Sequence, residues 1–88
     1  MLLVSSMKVY VYILYSEASD KFYIGQTENL ETRVTRHNAG MEKFTRPYRP
    51  WKVKWSVEKQ TRADAVQLEK KLKNLSRDRL KVFMAKYS

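Results

Sequence analysis

The chain contains no cysteine, which excludes disulfides, thiolate zinc centres and cysteine nucleophiles. It has a single histidine, His37, too few to build a standard zinc site without thiolates. Any metal must therefore be held by oxygen or by that one imidazole. No serine stands in a recognisable nucleophile motif, so acyl transfer is poorly supported. Acidic residues are also scarce: nine Asp and Glu face eighteen Lys and Arg, a formal charge of +9 and a pI near 9.9. Such a surface favours polyanions, and nucleic acid is the commonest of these, because neutralising its phosphates releases counterions. Long hydrophobic runs are missing too. The longest, Val9 to Tyr15, is far too short to span a bilayer, and the N-terminus lacks the features of a signal peptide. These absences lead us to expect a soluble, cytoplasmic protein with no membrane contact.

What is present fits one small domain of 88 residues, 43 % of them hydrophobic. At this size roughly 60–65 % of the unfolded surface can be buried. A deep pocket for a large organic cofactor would consume most of the core, so a shallow surface site is expected. Residues 1–6 read as a disordered leader, and patterned sequence begins at Met7-Lys8, giving a single domain over 7–88.

Val9 to Tyr15 is apolar on both alternating faces and reads as a central strand covered on both sides, with Tyr10, Tyr12 and Leu14 sharing one face. A polar turn over Ser16 to Asp20 joins it to a second strand, Phe22 to Gln26, as a hairpin. The period then becomes helical over residues 30 to 39, with Asn29 as N-cap and Gly40 just past the end. At roughly 100° per residue, Arg33 and His37 fall on the inward stripe of Leu30 and Val34. Helices usually keep that stripe apolar, so both need a buried partner or a site to point into.

Gly40 to Pro50 holds both prolines and reads as a loop mixing Lys43, Arg46 and Arg49 with Phe44 and Tyr48. Trp51 to Glu58 alternates cleanly, with Trp51, Val53, Trp55 and Val57 assigned to one face. Thr61 opens a capping box for a helix running to about Leu75, and Ser76 caps a last helix carrying Leu80, Phe83, Met84 and Tyr87. The expectation is an α+β domain, a three-stranded antiparallel sheet packed with helices in the order β-β-α-β-α-α. Glu69 borders the buried stripe of its helix, where a carboxylate commonly has a cation or metal partner.

Tyr10-Val11-Tyr12 and Tyr23-Ile24-Gly25, followed by Arg33, His37 one turn later and Glu69 on the next helix, together resemble the GIY-YIG nuclease superfamily. The similarity spans Met7 to about Leu80 and is strongest to its small stand-alone bacterial branch, through stretches such as KFYIGQTENLETR and FTRPYRPWK. It implies a metal-dependent endonuclease. Tyr12 and Tyr23 would contact the attacking water or scissile phosphate, Arg33 would stabilise phosphate charge, His37 would assist proton movement, and Glu69 would bind one divalent cation, Mg²⁺ or Mn²⁺. The base is left open between Tyr12, Tyr23 and a water relay; arginine and metal nearby would favour an ionised tyrosine. Two departures stand out. Tyr10 replaces the glycine of the first triplet, and the asparagine that many members carry after the glutamate has no counterpart in Lys81 to Tyr87.

DNA is the expected substrate, with Lys43, Arg46, Tyr48, Arg49, Lys52 and Lys54 as candidate contacts and Phe44 or Tyr48 stacking on a base. The alternative is a nucleic-acid-binding module of the same fold that does not cleave and delivers a partner protein. A protein-interaction domain with an incidental basic surface is a third reading.

Overall fold

The computed structural model describes residues 8–88, so the leader expected over residues 1–6 lies outside it. Three antiparallel strands, β1 (Val9–Ser16), β2 (Lys21–Thr27) and β3 (Lys52–Lys59), form one sheet in the order β2-β1-β3. Helix α1 (Leu30–Asn38) follows β2, while α2 (Arg62–Lys73) and α3 (Arg77–Lys86) follow β3. This is the α+β architecture and element order that the sequence predicts.

β1 is central because it is apolar on both faces. Val9, Val11 and Ile13 pack with Ala65 and Leu72 of α2 and with Leu80 and Met84 of α3. Tyr12 and Leu14 point the other way, to Trp51, Tyr23 and the Leu30 and Val34 stripe of α1. The sheet is thus the middle layer of three.

Each helix starts where a short polar side chain satisfies a backbone N–H that the helix itself cannot. Asn29 accepts from Thr32, Thr61 from Asp64 and Ser76 from Arg79, caps that typically contribute about 1 kcal/mol each. Gly40 lies just beyond α1 with φ of 79°, the left-handed conformation that ends helices and that a side chain disfavours.

One expectation needs correcting. Trp51, Val53, Trp55 and Val57 do not share a face, because the pairing with β1 slips between Ile13 and Leu14: Ile13 opposes Trp55, yet Leu14 opposes Val53. Lys54 is the extra residue of a β-bulge, and the slip reverses the alternation across it. Trp55 and Val57 consequently join the α2–α3 core, whereas Trp51 joins the α1 core.

Candidate active site

The α1 face of the sheet carries a cluster of aromatic and basic side chains. Tyr12 sits in mid-β1 opposite Gly25 of β2, and its ring lies across that glycine. A Cβ at position 25 would stand 2.5 Å from the Tyr12 hydroxyl oxygen and 2.7 Å from Cζ. Glycine is required there by this close approach, with no unusual dihedral involved.

His37, fully buried at 1 % exposure, faces Tyr12 from α1. Its Nε2 lies 3.1 Å from the Tyr12 hydroxyl and its Nδ1 2.7 Å from the Thr45 hydroxyl. Thr45 in turn donates to the Glu42 carbonyl over a longer 3.4 Å. A carbonyl can only accept, so the direction of the chain is set from that end. Thr45 donates to Glu42 and accepts from His37 Nδ1–H, which leaves Nε2 as the acceptor for the Tyr12 O–H. Thr45 is itself fixed: it is fully buried, and the Trp51 indole N–H donates to its carbonyl at 2.9 Å. Trp51 is held by Asn38, whose side chain clamps its backbone N–H and C=O at 2.6 and 2.9 Å.

Tyr23 completes the cluster from β2. Its ring is 5.2 Å from His37, 6.4 Å from Tyr12 and 6.1 Å from Phe44, centroid to centroid. Phe44 is 75 % exposed, an aromatic face open to solvent beside the tyrosines. The Arg33 guanidinium stands by the Tyr12 hydroxyl, where it favours the ionised phenol. Burial outweighs it and, with Tyr23 adding to the effect, raises the Tyr12 pKa above its ordinary value. Within the protein alone, burial thus favours the neutral phenol at Tyr12 over the ionised form that Arg33 favours. Burial also lowers the His37 pKa, with Arg33 and Arg36 acting in the same direction and Glu42 opposing, so the imidazole is neutral and can accept.

Glu69 comes from α2, on the other side of the sheet, and reaches the edge of β2. Gln26 donates to its Oε1 at 2.5 Å, and the Lys73 ammonium lies 2.7 Å from its Oε2. Among the described residues no three His, Asp or Glu side chains gather into a metal cage. A lone carboxylate fits Mg²⁺ or Mn²⁺, since Mg²⁺ retains several waters and completes its shell with substrate phosphate; it does not fit a structural zinc. A cation bound at Glu69 Oε2 would compete with Lys73 for that oxygen.

The structure thus brings Tyr12, Tyr23, Arg33 and His37 together, while Glu69 approaches from α2 and contacts Gln26 of the edge strand β2. The six residues expected to contact nucleic acid divide between the loop after α1 and strand β3. Lys43, Arg46, Tyr48 and Arg49 lie on the loop after α1, where Arg46 and Arg49 donate to the carbonyls of Gly40 and Arg46. Tyr48 is half-buried against Trp51 with Lys21 over its ring, which leaves Phe44 as the exposed aromatic. Lys52 pairs with Glu17, and Lys54 lies over Tyr15 on the α3 side. Thr45, Asn38 and Gln26 were missed. Thr45 sits in a polar loop where a hydroxyl looks ordinary, and the only sequence sign for it is its position eight residues after an inward histidine.

Residues 8–82 match the GIY-YIG catalytic domain family. The chain belongs to the GIY-YIG family, and its fold is nuclease-like. It is 39 % identical over 69 residues to UPF0213 protein NP_0776A of Natronomonas pharaonis, covering 77 % of this chain and 80 % of that one. To UPF0213 protein SH2523 of Staphylococcus haemolyticus it is 34 % identical over 71 residues, 80 % of this chain and 85 % of the relative. The solution structure of UPF0213 protein BH0048 from Bacillus halodurans superimposes with a TM-score of 0.60 at 28 % identity, covering 90 % and 84 % of the two chains. No helix among the described residues is long and apolar enough to cross a membrane.

Proposed function

We propose that this protein is a divalent-metal-dependent endonuclease acting on DNA through Tyr12, Tyr23, Arg33, His37 and Glu69. The observation that carries the reading is the buried hydrogen-bond chain from Tyr12 through His37 to Thr45, with Arg33 beside its outer end. A neutral tyrosine whose O–H points at a bare imidazole nitrogen can take a proton from an attacking water while passing its own to His37 Nε2. Such a relay contributes typically ~10²–10⁴-fold. It needs no phenolate in the resting state, which accommodates the raised pKa of Tyr12. Arg33 would neutralise charge building on the phosphate, and Tyr23 would fix its orientation. A divalent ion on Glu69 would supply Lewis acidity at the phosphate. Phe44 would stack on a base beside the reacting phosphate.

A second reading, a binding module without turnover, draws on the occupancy of both Glu69 oxygens by Gln26 and Lys73. One experiment separates the two. Purified protein is incubated with linear, branched and single-stranded DNA and with RNA, with Mg²⁺ or EDTA, alongside Glu69→Ala and His37→Ala. Nicking that requires Mg²⁺ and is lost in both folded variants supports the nuclease. Cleavage that survives EDTA or Glu69→Ala sinks it, and salt-sensitive binding without product favours the module.

A further inference from the structure

The free edge of β2 opens into a groove between α1 and the start of α2. Gln26 and Glu28 lie along it, Arg33 and Arg36 come from α1, and Arg62 comes from the first turn of α2. Three guanidinium groups therefore meet beside a single groove carboxylate, Glu28. The groove touches both halves of the candidate site. Arg33 stands at the Tyr12 hydroxyl, and Gln26, which accepts from Arg62 at 2.7 Å, donates to Glu69.

The arginines are held only by replaceable partners. Arg62 reaches Glu28 at 2.9 Å and Arg36 reaches Glu42 at 3.1 Å, with 46 % and 44 % of the two arginine side chains exposed. Ion pairs this open hold weakly. Arg62 spreads its two terminal nitrogens over Gln26 Oε1 and Glu28 Oε2, the fork that a phosphate's paired oxygens also satisfy. Arg33 and Arg36 are neighbours on one helical face, roughly 5–6 Å apart at Cβ by helix geometry. A backbone phosphate at Arg33 would bring the adjoining ones within reach of Arg36 and Arg62. By contrast, Arg46 and Arg49 brace their own loop, and Lys54 lies on the opposite side of the sheet.

We propose that this groove binds the backbone phosphates of the nucleic-acid strand flanking the one at Arg33, with Arg36 and Arg62 as the contacts. The inference rests on the nucleic-acid reading above, and binding measured without cleavage tests it separately.

The test uses the full chain in EDTA with fluorescein-labelled single-stranded and duplex oligonucleotides, read by anisotropy over a salt series. Arg36→Gln with Arg62→Gln should raise Kd at least ~10-fold and reduce the steepness of the log Kd against log salt plot by about 2. Lys81→Gln with Lys86→Gln removes the same charge from α3, on the opposite face, and should change Kd less than ~3-fold. Glu28→Gln should tighten binding by ~3-fold or more, an effect that misfolding does not imitate, while the charge-matched Glu17→Gln should not. Equal weakening by the two double variants, or no tightening by Glu28→Gln beyond Glu17→Gln, overturns the groove. Failure of the wild type to bind either oligonucleotide at low salt overturns the nucleic-acid reading and the groove with it. Mg²⁺-dependent cleavage by a wild type whose groove variants bind unchanged overturns the groove alone.

Discussion

The Tyr12 hydroxyl and His37 Nε2 are 3.1 Å apart in a buried pocket, and the proton on that bond belongs to the tyrosine. Its ownership is decided on the far side of the ring, where Thr45 accepts from Nδ1–H at 2.7 Å and passes its own hydrogen to the Glu42 carbonyl. A loop hydroxyl thereby fixes the tautomer of a helix histidine, which in turn aims a strand tyrosine.

Thr45→Val should break that chain at its source. It removes the hydroxyl with little change of volume and leaves His37 Nδ1 buried without an acceptor, a cost of about 1–3 kcal/mol. Thermal unfolding should move down accordingly. The ¹⁵N spectrum of His37 should change from the Nδ1–H form to a mixture of tautomers, and any cleavage rate should fall ~10²-fold. A wild-type tautomer signature in the variant would rule out the assigned direction of the chain.

Gly25→Ala is expected to displace Tyr12. The new Cβ meets the end of a ring that is 1 % exposed and has little room to move, so overpacking should cost about 1–3 kcal/mol. The second variant Tyr12→Phe removes only the hydroxyl and should preserve most stability. Loss of cleavage in Tyr12→Phe, with a melting temperature near wild type, would distinguish the proton relay from packing; full activity in Tyr12→Phe would eliminate the relay.

Stability should depend on pH through His37. Burial lowers its pKa below the ordinary 6.5, so near and below 6.5 the unfolded chain binds a proton that the folded chain resists. The contribution is fully present above about pH 6.5 and is lost as pH falls through 6.5 toward the lower folded value. Glu42, held low chiefly by its hydrogen bond from Arg36, loses its own contribution only below the ordinary 4.5. Melting curves from pH 7.5 to 5 should show a decline for the wild type, and His37→Gln should flatten it. A decline of equal size in the variant would mean that another group is responsible.

Lys73→Met should make the metal easier to bind. Removing an ammonium 2.7 Å from Glu69 Oε2 relieves the competition for that oxygen; Lys73 is half-exposed and Gln26 still donates to Oε1, so the structural cost should be about 1 kcal/mol or less. The Mn²⁺ concentration that half-broadens the Glu69 amide signal should fall several-fold. An unchanged or higher concentration would show that Lys73 does not compete.

Much of this was legible in the sequence because local signals agreed with the tertiary outcome. The two-sided apolar run of β1 marks the middle of the sheet, Asn29, Thr61 and Ser76 mark helix starts, and the inward Arg33 and His37 point to the site. The bulge at Lys54 was hidden. Trp51, Val53, Trp55 and Val57 alternate perfectly as letters, and only pairing with β1 reveals the slip. The paired burdens on Glu69 were equally hidden, because Gln26 is distant in sequence and Lys73 is one lysine among many. Charge composition indicated that a polyanion would be favoured but not where; the groove that gathers Arg33, Arg36 and Arg62 forms only once β2, α1 and α2 come together.

The bulge also divides labour along a single strand. On one side of Lys54, Trp51 anchors the loop that carries Thr45; on the other, Trp55 belongs to the packing of α2 and α3. Because the two tryptophans look into separate cores, drift in one compartment need not propagate into the other. The loop beside the tyrosines can therefore be remodelled without disturbing the helical packing that keeps the domain folded.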